Sequence, residues 1–193
     1  MIENYFVLDN VIPKRYQDEI ENLLLTNQTC PWYLVKDISY TENVKEFDQL
    51  STKFTAFSHV FKNENGPQSK AFDFLIPLVY SACEKINFEL KNIVMVRSFL
   101  QLSNTQGINH AHIDFKVPHL VLLYYVNDSQ GSTILYNEKY PDVLIEDLTN
   151  KELTVLTEIE PKKGRCVLFD GFRYHSSSGP ERGIRCVINF DLQ

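Results

Sequence analysis

The stretch Asn109-His110-Ala111-His112-Ile113-Asp114 places two imidazoles and a carboxylate within a few residues of each other. In an extended chain side chains alternate, so His110, His112 and Asp114 would share one face. A His-x-Asp pair on such a face can offer an imidazole nitrogen and a carboxylate oxygen to one metal ion. A pair alone is commonplace, so the weight rests on what lies outward from it. Downstream, Gly171-Phe172-Arg173-Tyr174-His175 follows the strand-like run 164–170, and His175 lies 61 residues beyond Asp114. Ten residues further comes Arg185, in a run predicted as a strand over 184–190. There Ile184, Cys186, Ile188 and Phe190 fall on one side, and Arg185, Val187 and Asn189 on the other. An arginine on a buried inner face requires an anion. A protein carboxylate would serve, and so would a dicarboxylate ligand, which guanidinium grips in a bidentate fork.

Around these residues the chain divides in character. Residues 4–12 read as a short strand and turn. Pro13 can open a helix, because its missing N–H is not needed there. Tyr16, Ile20, Leu23 and Leu24 recur at helical spacing, which predicts an amphipathic helix over 13–26. Residues 27–67 are mixed and polar and end in the turn signal NENGP. Phe72, Leu75, Val79, Ala82, Ile86 and Leu90 form a stripe that predicts a second helix over 68–90, with Pro77 kinking or splitting it. From residue 92 short apolar segments alternate with turns: 92–102, 118–126, 132–136, 153–159, 164–170 and 184–192. That spacing predicts a barrel or sandwich. The fold class is α+β, mainly β. We expect one domain over 1–193, with 1–91 as helical support and 92–193 as the β core.

Composition bounds the function. The chain has 193 residues, enough for a substantial core, and a formal net charge of −6. No basic footprint suited to phosphate backbones stands out, so nucleic acid is not the expected partner. The acidity favours a basic or neutral substrate. No apolar run reaches membrane-spanning length and the N-terminus has no secretory pattern. Cys30, Cys83, Cys166 and Cys186 form no C-x-x-C pair, which suits reduced thiols in the cytoplasm. His59 and His119 belong to no motif and read as ordinary surface or core residues.

In order, His112-x-Asp114, His175 and Arg185 resemble the 2-oxoglutarate/Fe(II) oxygenase superfamily, and most closely its prolyl 4-hydroxylase-like branch. Residues 122–136, LLYYVNDSQGSTILY, are similar to that branch's Tyr-Tyr-hydrophobic-Asn strand followed by a turn and a Gly-x-Thr segment. The chain also looks like the small oxygenases of marine phages. The likeness covers roughly 92–192. It implies a double-stranded β-helix (jelly-roll) core with supporting N-terminal helices. By position, His112, Asp114 and His175 would be catalytic ligands to Fe(II), a facial triad that leaves room for co-substrate and O2. Arg185 would bind the far carboxylate of 2-oxoglutarate, assisted by the Tyr124 hydroxyl, with Tyr125 turned away into packing and Thr133 lining the same pocket. His110 would sit at the rim, and Asn189 near substrate. The branch often carries a tyrosine on the strand before the first ligand, where this chain has Gln101 and Leu102.

The resemblance implies a dioxygenase that hydroxylates an unidentified small-molecule or peptidyl substrate, prolyl residues included, with succinate and CO2 as co-products. Ascorbate would keep the iron reduced. Residues 40–66 and 137–152 are loop-like candidates for a substrate lid. Two rival readings share the architecture: a cupin-like metal enzyme without 2-oxoglutarate, and a non-catalytic binding module.

Overall fold

The computed structural model describes residues 4–27, 30–35, 55–103, 107–148 and 151–193. Its strands are β1 (Phe6–Asp9), β2 (Tyr33–Val35), β3 (Ala56–Asn63), β4 (Gly66–Pro67), β5 (Ile93–Leu102), β6 (Leu120–Tyr125), β7 (Thr133–Lys139), β8 (Val155–Ile159), β9 (Arg165–Asp170), β10 (Arg173–Ser177) and β11 (Ile184–Leu192). The described residues also form two α-helices, α1 (Lys14–Glu21) and α2 (Phe72–Lys85), and α1 runs on through a wider turn over Asn22–Thr26. The major sheet has the order β1-β9-β6-β11-β5-β3-β2, with β4 beside β3, and the minor sheet the order β10-β7-β8. All pairings are antiparallel.

The major sheet is covered on both faces, and this explains its sequence. Against one face pack α1 and α2. There Ile20, Leu24, Leu75, Leu78 and Ala82 meet Leu122, Tyr124, Leu168, Ile188 and Phe190. Against the other face lies the minor sheet, with Leu135 and Ile159 meeting Val121, Leu123, Tyr125, Val167 and Phe169. Every residue of β6 is therefore buried, and LVLLYY reads as an unbroken apolar run with no alternation. The helical stripe of α2 continues through Pro77 as one helix, so the proline does not split it. Beside it the Tyr16 hydroxyl donates to the Phe74 carbonyl.

The structure corrects the division of the chain at residue 91. The N-terminal half is not helical support alone: β1 pairs with β9, and β3 lies between β5 and β2 in the major sheet. The apolar inner residues Ala56 and Phe61 were hidden in a stretch of polar average composition. Residues 56–63 are thus sheet rather than lid, and 36–54 lie outside the described residues. The other lid candidate is partly anchored as well. Val143 and Ile145 are buried against Ile113 and Tyr174, and the Tyr174 hydroxyl donates to the Val143 carbonyl at 2.8 Å. All four cysteines are free, as expected.

Gly171, between β9 and β10, is required by its neighbour. A Cβ there would lie 2.2 Å from Nε2 of His119. That ring cannot retreat, because it is buried and its Nδ1 lies 2.7 Å from the Val117 carbonyl. We expect Gly171→Ala to destabilise the protein by about 1–3 kcal/mol, the usual effect of overpacking, read as a lower midpoint in urea unfolding.

Candidate metal centre and anion pocket

His112, Asp114 and His175 come together although they arise from two separate segments. His112 and His175 face each other across an isolated antiparallel bridge. The His112 N–H donates to the His175 carbonyl at 2.9 Å, and the His175 N–H returns the bond at 3.0 Å. The two rings are 4.4 Å apart between centroids, and Nε2 of His175 is 3.7 Å from Oδ2 of Asp114. One ligand atom from each of the three residues falls within 4.8 Å of the others.

The surroundings select which atoms are offered. Nδ1 of His112 lies 3.0 Å from the His110 carbonyl, and Nδ1 of His175 lies 3.2 Å from the Arg173 carbonyl. Each Nδ1–H so occupied leaves Nε2 as the ligand atom. Burial, helped by His112, pulls the His175 imidazole down to about 4 against the pull of Asp114, so it is neutral at pH 7. Burial alone would raise the Asp114 carboxyl, but His175, Arg97 and His112 outweigh it and hold it at about 2. A neutral imidazole and an ionised carboxylate are the forms that bind a metal. Asp114 is also clamped: Nη2 of Arg97 donates to Oδ1 at 3.0 Å and Nδ2 of Asn189 to Oδ2 at 3.3 Å. The donor set fits Fe(II), since two imidazoles and a carboxylate leave several coordination positions open.

Arg185 lines the same cavity, which has a volume of about 470 Å³. It is 3% exposed. Its Nε donates to the Gly131 carbonyl at 3.2 Å, Nη1 to Oε1 of Gln101 at 2.7 Å and Nη2 to Oγ1 of Thr133 at 2.7 Å. All three partners are neutral, and among the described residues no carboxylate pairs with this cation. A buried guanidinium without a counter-charge is expensive, and the cavity beside it is where an anion would fit.

One expectation is corrected. Tyr124 does not approach Arg185; it lies in the core beneath the helices, with its hydroxyl buried and unpartnered. Register decides this: Tyr125 stands opposite Val187 and Tyr124 opposite Ile188. Directly paired residues project to one side, so Tyr125 shares the face of Arg185 and Tyr124 does not. The Arg185 guanidinium sits 5.5 Å from the Tyr125 ring centroid, and the Tyr125 hydroxyl donates to Thr133 Oγ1 at 2.6 Å. Thr133 thus accepts two bonds and keeps its own O–H for a ligand.

Thr133 lines the cavity as expected, and Asn189 contacts Asp114. His110 is exposed, and its backbone carbonyl lies 3.0 Å from Nδ1 of His112. His59 is buried, with Nδ1 2.8 Å from the Pro31 carbonyl. His119 is more than an ordinary core residue: its Nε2 lies 3.7 Å from Asp191, whose carboxyl is buried next to Arg97. Sequence reading passed over Arg97, Tyr125 and the role of Gln101. The alternation Arg97, Phe99, Gln101 along β5, all facing the cavity, was the available signal.

No family model and no curated protein matches the sequence. Solved structures do match its fold. An oxidoreductase of the 2OG-Fe(II) oxygenase family from Burkholderia pseudomallei superposes with a TM-score of 0.67 at 8% identity, over 98% of this chain and 85% of that one. A prolyl hydroxylase from Trichoplax adhaerens, in complex with a peptide fragment of the hypoxia inducible factor oxygen degradation domain, gives 0.62 at 14% identity over 97% and 82%. A prolyl-4-hydroxylase from Pseudomonas putida gives 0.58 at 12% identity over 98% and 92%. Superposition over nearly the whole chain, with two antiparallel sheets enclosing the His-Asp-His cluster, shows that this chain has the double-stranded β-helix fold of the 2-oxoglutarate/Fe(II) oxygenases.

Proposed function

We propose that the protein is a 2-oxoglutarate-dependent dioxygenase that hydroxylates an organic substrate, with succinate and CO2 as co-products. The observation that carries this is one cavity holding both a three-donor metal cluster and a buried arginine with no carboxylate partner among the described residues. His112, Asp114 and His175 would hold Fe(II). When bound, iron supplies the redox chemistry that couples O2 reduction to decarboxylation of 2-oxoglutarate and oxygen insertion into the substrate. The chain supplies position. Arg185 receives the distal carboxylate, and Gln101, Thr133 and Tyr125 fix the guanidinium so that the keto-acid end points toward the metal cluster. Arg97 and Asn189 keep the Asp114 carboxylate from rotating. The apolar walls, Leu123 and Val187 among them, exclude water.

Peptidyl substrates, prolyl residues among them, remain within this proposal, supported by two prolyl hydroxylases among the similar folds. Ascorbate would serve as reductant. No helix among the described residues is long and apolar enough to cross a membrane. Four free thiols suit a reducing compartment such as the cytoplasm.

The direct test is an anaerobic titration of the apo-protein with Fe(II) and then 2-oxoglutarate. A visible metal-to-ligand charge-transfer band is the expected result. Folded, iron-loaded protein with no band would reject the reading and favour a metal enzyme that does not use 2-oxoglutarate. The same titration separates the two tyrosines. Tyr125→Phe should weaken 2-oxoglutarate binding by about 0.5–1.5 kcal/mol, one net hydrogen bond. Tyr124→Phe should leave it unchanged, because that hydroxyl faces the helices.

A further inference from the structure

Arg97 has donor capacity that its carboxylate neighbours leave unused. Its Nη2 donates to Asp114 and lies 3.9 Å from the buried Asp191 carboxyl, its Nε is buried with no hydrogen-bond partner among the described residues, and the side chain lines the cavity at 27% exposure. Lys116, two residues beyond Asp114, also lines the cavity, is exposed, and holds its ammonium 5.8 Å from the Tyr140 ring centroid. Among the described lining residues the cations are Arg97, Lys116 and Arg185, and the one acid is Asp114. Bound Fe(II) and 2-oxoglutarate cancel each other in charge, so the loaded cavity keeps an uncompensated positive excess. The sign is opposite to that of the whole chain, which carries −6.

The two arginines are rooted at different levels of the cavity. Arg185 stands opposite Gln101 and Arg97 opposite Asn189, four residues apart along β5 and β11. At about 3.3 Å per residue that is roughly 13 Å between their backbone positions. Arg185 is sealed at 3% exposure, whereas Arg97 and Lys116 stand at the open part. The inner cation suits the co-substrate and the outer pair suits something that arrives later.

We infer that the substrate carries a carboxylate or phosphate group, which docks on Arg97 and Lys116 at the outer part of the cavity. This rests on the dioxygenase reading and replaces the basic or neutral substrate that net charge suggested. Phe99 and Phe115 line the space between and suit an apolar body behind the anionic group.

The test uses Mn(II), which binds such sites without turnover, on full-length protein saturated with 2-oxoglutarate. Acetate, methyl phosphate and methanol are the probes, and the paramagnetic relaxation of their methyl protons is the readout. At least one anion should relax faster than methanol while 2-oxoglutarate is bound. Lys116→Gln, an exposed position, should weaken that effect by about three- to fivefold, as loss of one solvated ion pair does, with Mn(II) affinity unchanged. Arg97→Gln should weaken it as well. A stronger effect on acetate assigns a carboxylate, and on methyl phosphate a phosphate. If Mn(II) and 2-oxoglutarate bind but neither anion relaxes faster than methanol, or Lys116→Gln behaves as wild type, the inference is overturned. Failure of Mn(II) or 2-oxoglutarate to bind wild type would instead overturn the dioxygenase reading.

Discussion

Arg185→Ala is expected to weaken 2-oxoglutarate binding by at least about thirtyfold, the low end of the 2–5 kcal/mol that truncating one partner of a buried charge pair costs. Fe(II) affinity should not change. The two readouts separate because Arg185 makes no contact with His112, Asp114 or His175. Its bonds run to Gly131, Gln101 and Thr133. Removal also leaves the Gln101 amide oxygen and the Thr133 hydroxyl without this donor, so the variant loses shape as well as charge. Arg185→Lys should recover only part of the loss, because an ammonium cannot reproduce three divergent N–H bonds. Isothermal titration of the Mn(II)-loaded protein with 2-oxoglutarate measures the effect. Equal affinity in wild type and Arg185→Ala would remove the arginine from the site.

Asp114→Ala is expected to abolish the charge-transfer band and lower Fe(II) affinity by more than about a hundredfold, since even residues that only orient a ligand are worth 10–100-fold. The carboxylate is the one anionic donor in the cluster, and both of its oxygens are held by Arg97 and Asn189. The fold should survive, because Asp114 belongs to neither the apolar core between the sheets nor the one under the helices. Circular dichroism would check this. Stability should fall nonetheless, as Arg97 then faces only the buried Asp191 carboxyl, 3.9 Å away. Retained iron binding in a folded variant would show that the cluster is not the metal centre.

How much of this was legible before the structure depends on what kind of signal a residue carries. His112, Asp114, His175 and Arg185 were legible because their chemistry is rare on an inner face and their order along the chain is distinctive. The β core was legible where turns punctuate it. β3 was not, since its inward residues sit in a polar stretch and its partner β5 lies some forty residues away along the chain. Tyr125 was missed for a different reason. Alternation tells which residue faces a pocket only when one face of a strand is wet, and β6 is dry on both. The pairing of Tyr125 with Val187 resolves the choice, and pairing is not written in a single strand. Gln101 was visible as a departure from the resembling tyrosine, but its bond to Arg185 spans the β5–β11 pairing.

The two-sided burial of β6 also limits how this chain can vary. Tyr124 completes the packing under the helices and Tyr125 backs Arg185 and Thr133 on the opposite face, and they are neighbours on one strand. Inserting or deleting one residue within 120–125 would exchange their sides, and with them every other residue of the strand. Each tyrosine can be substituted alone at a local loss, but the length of the segment cannot change without damage to both layers together.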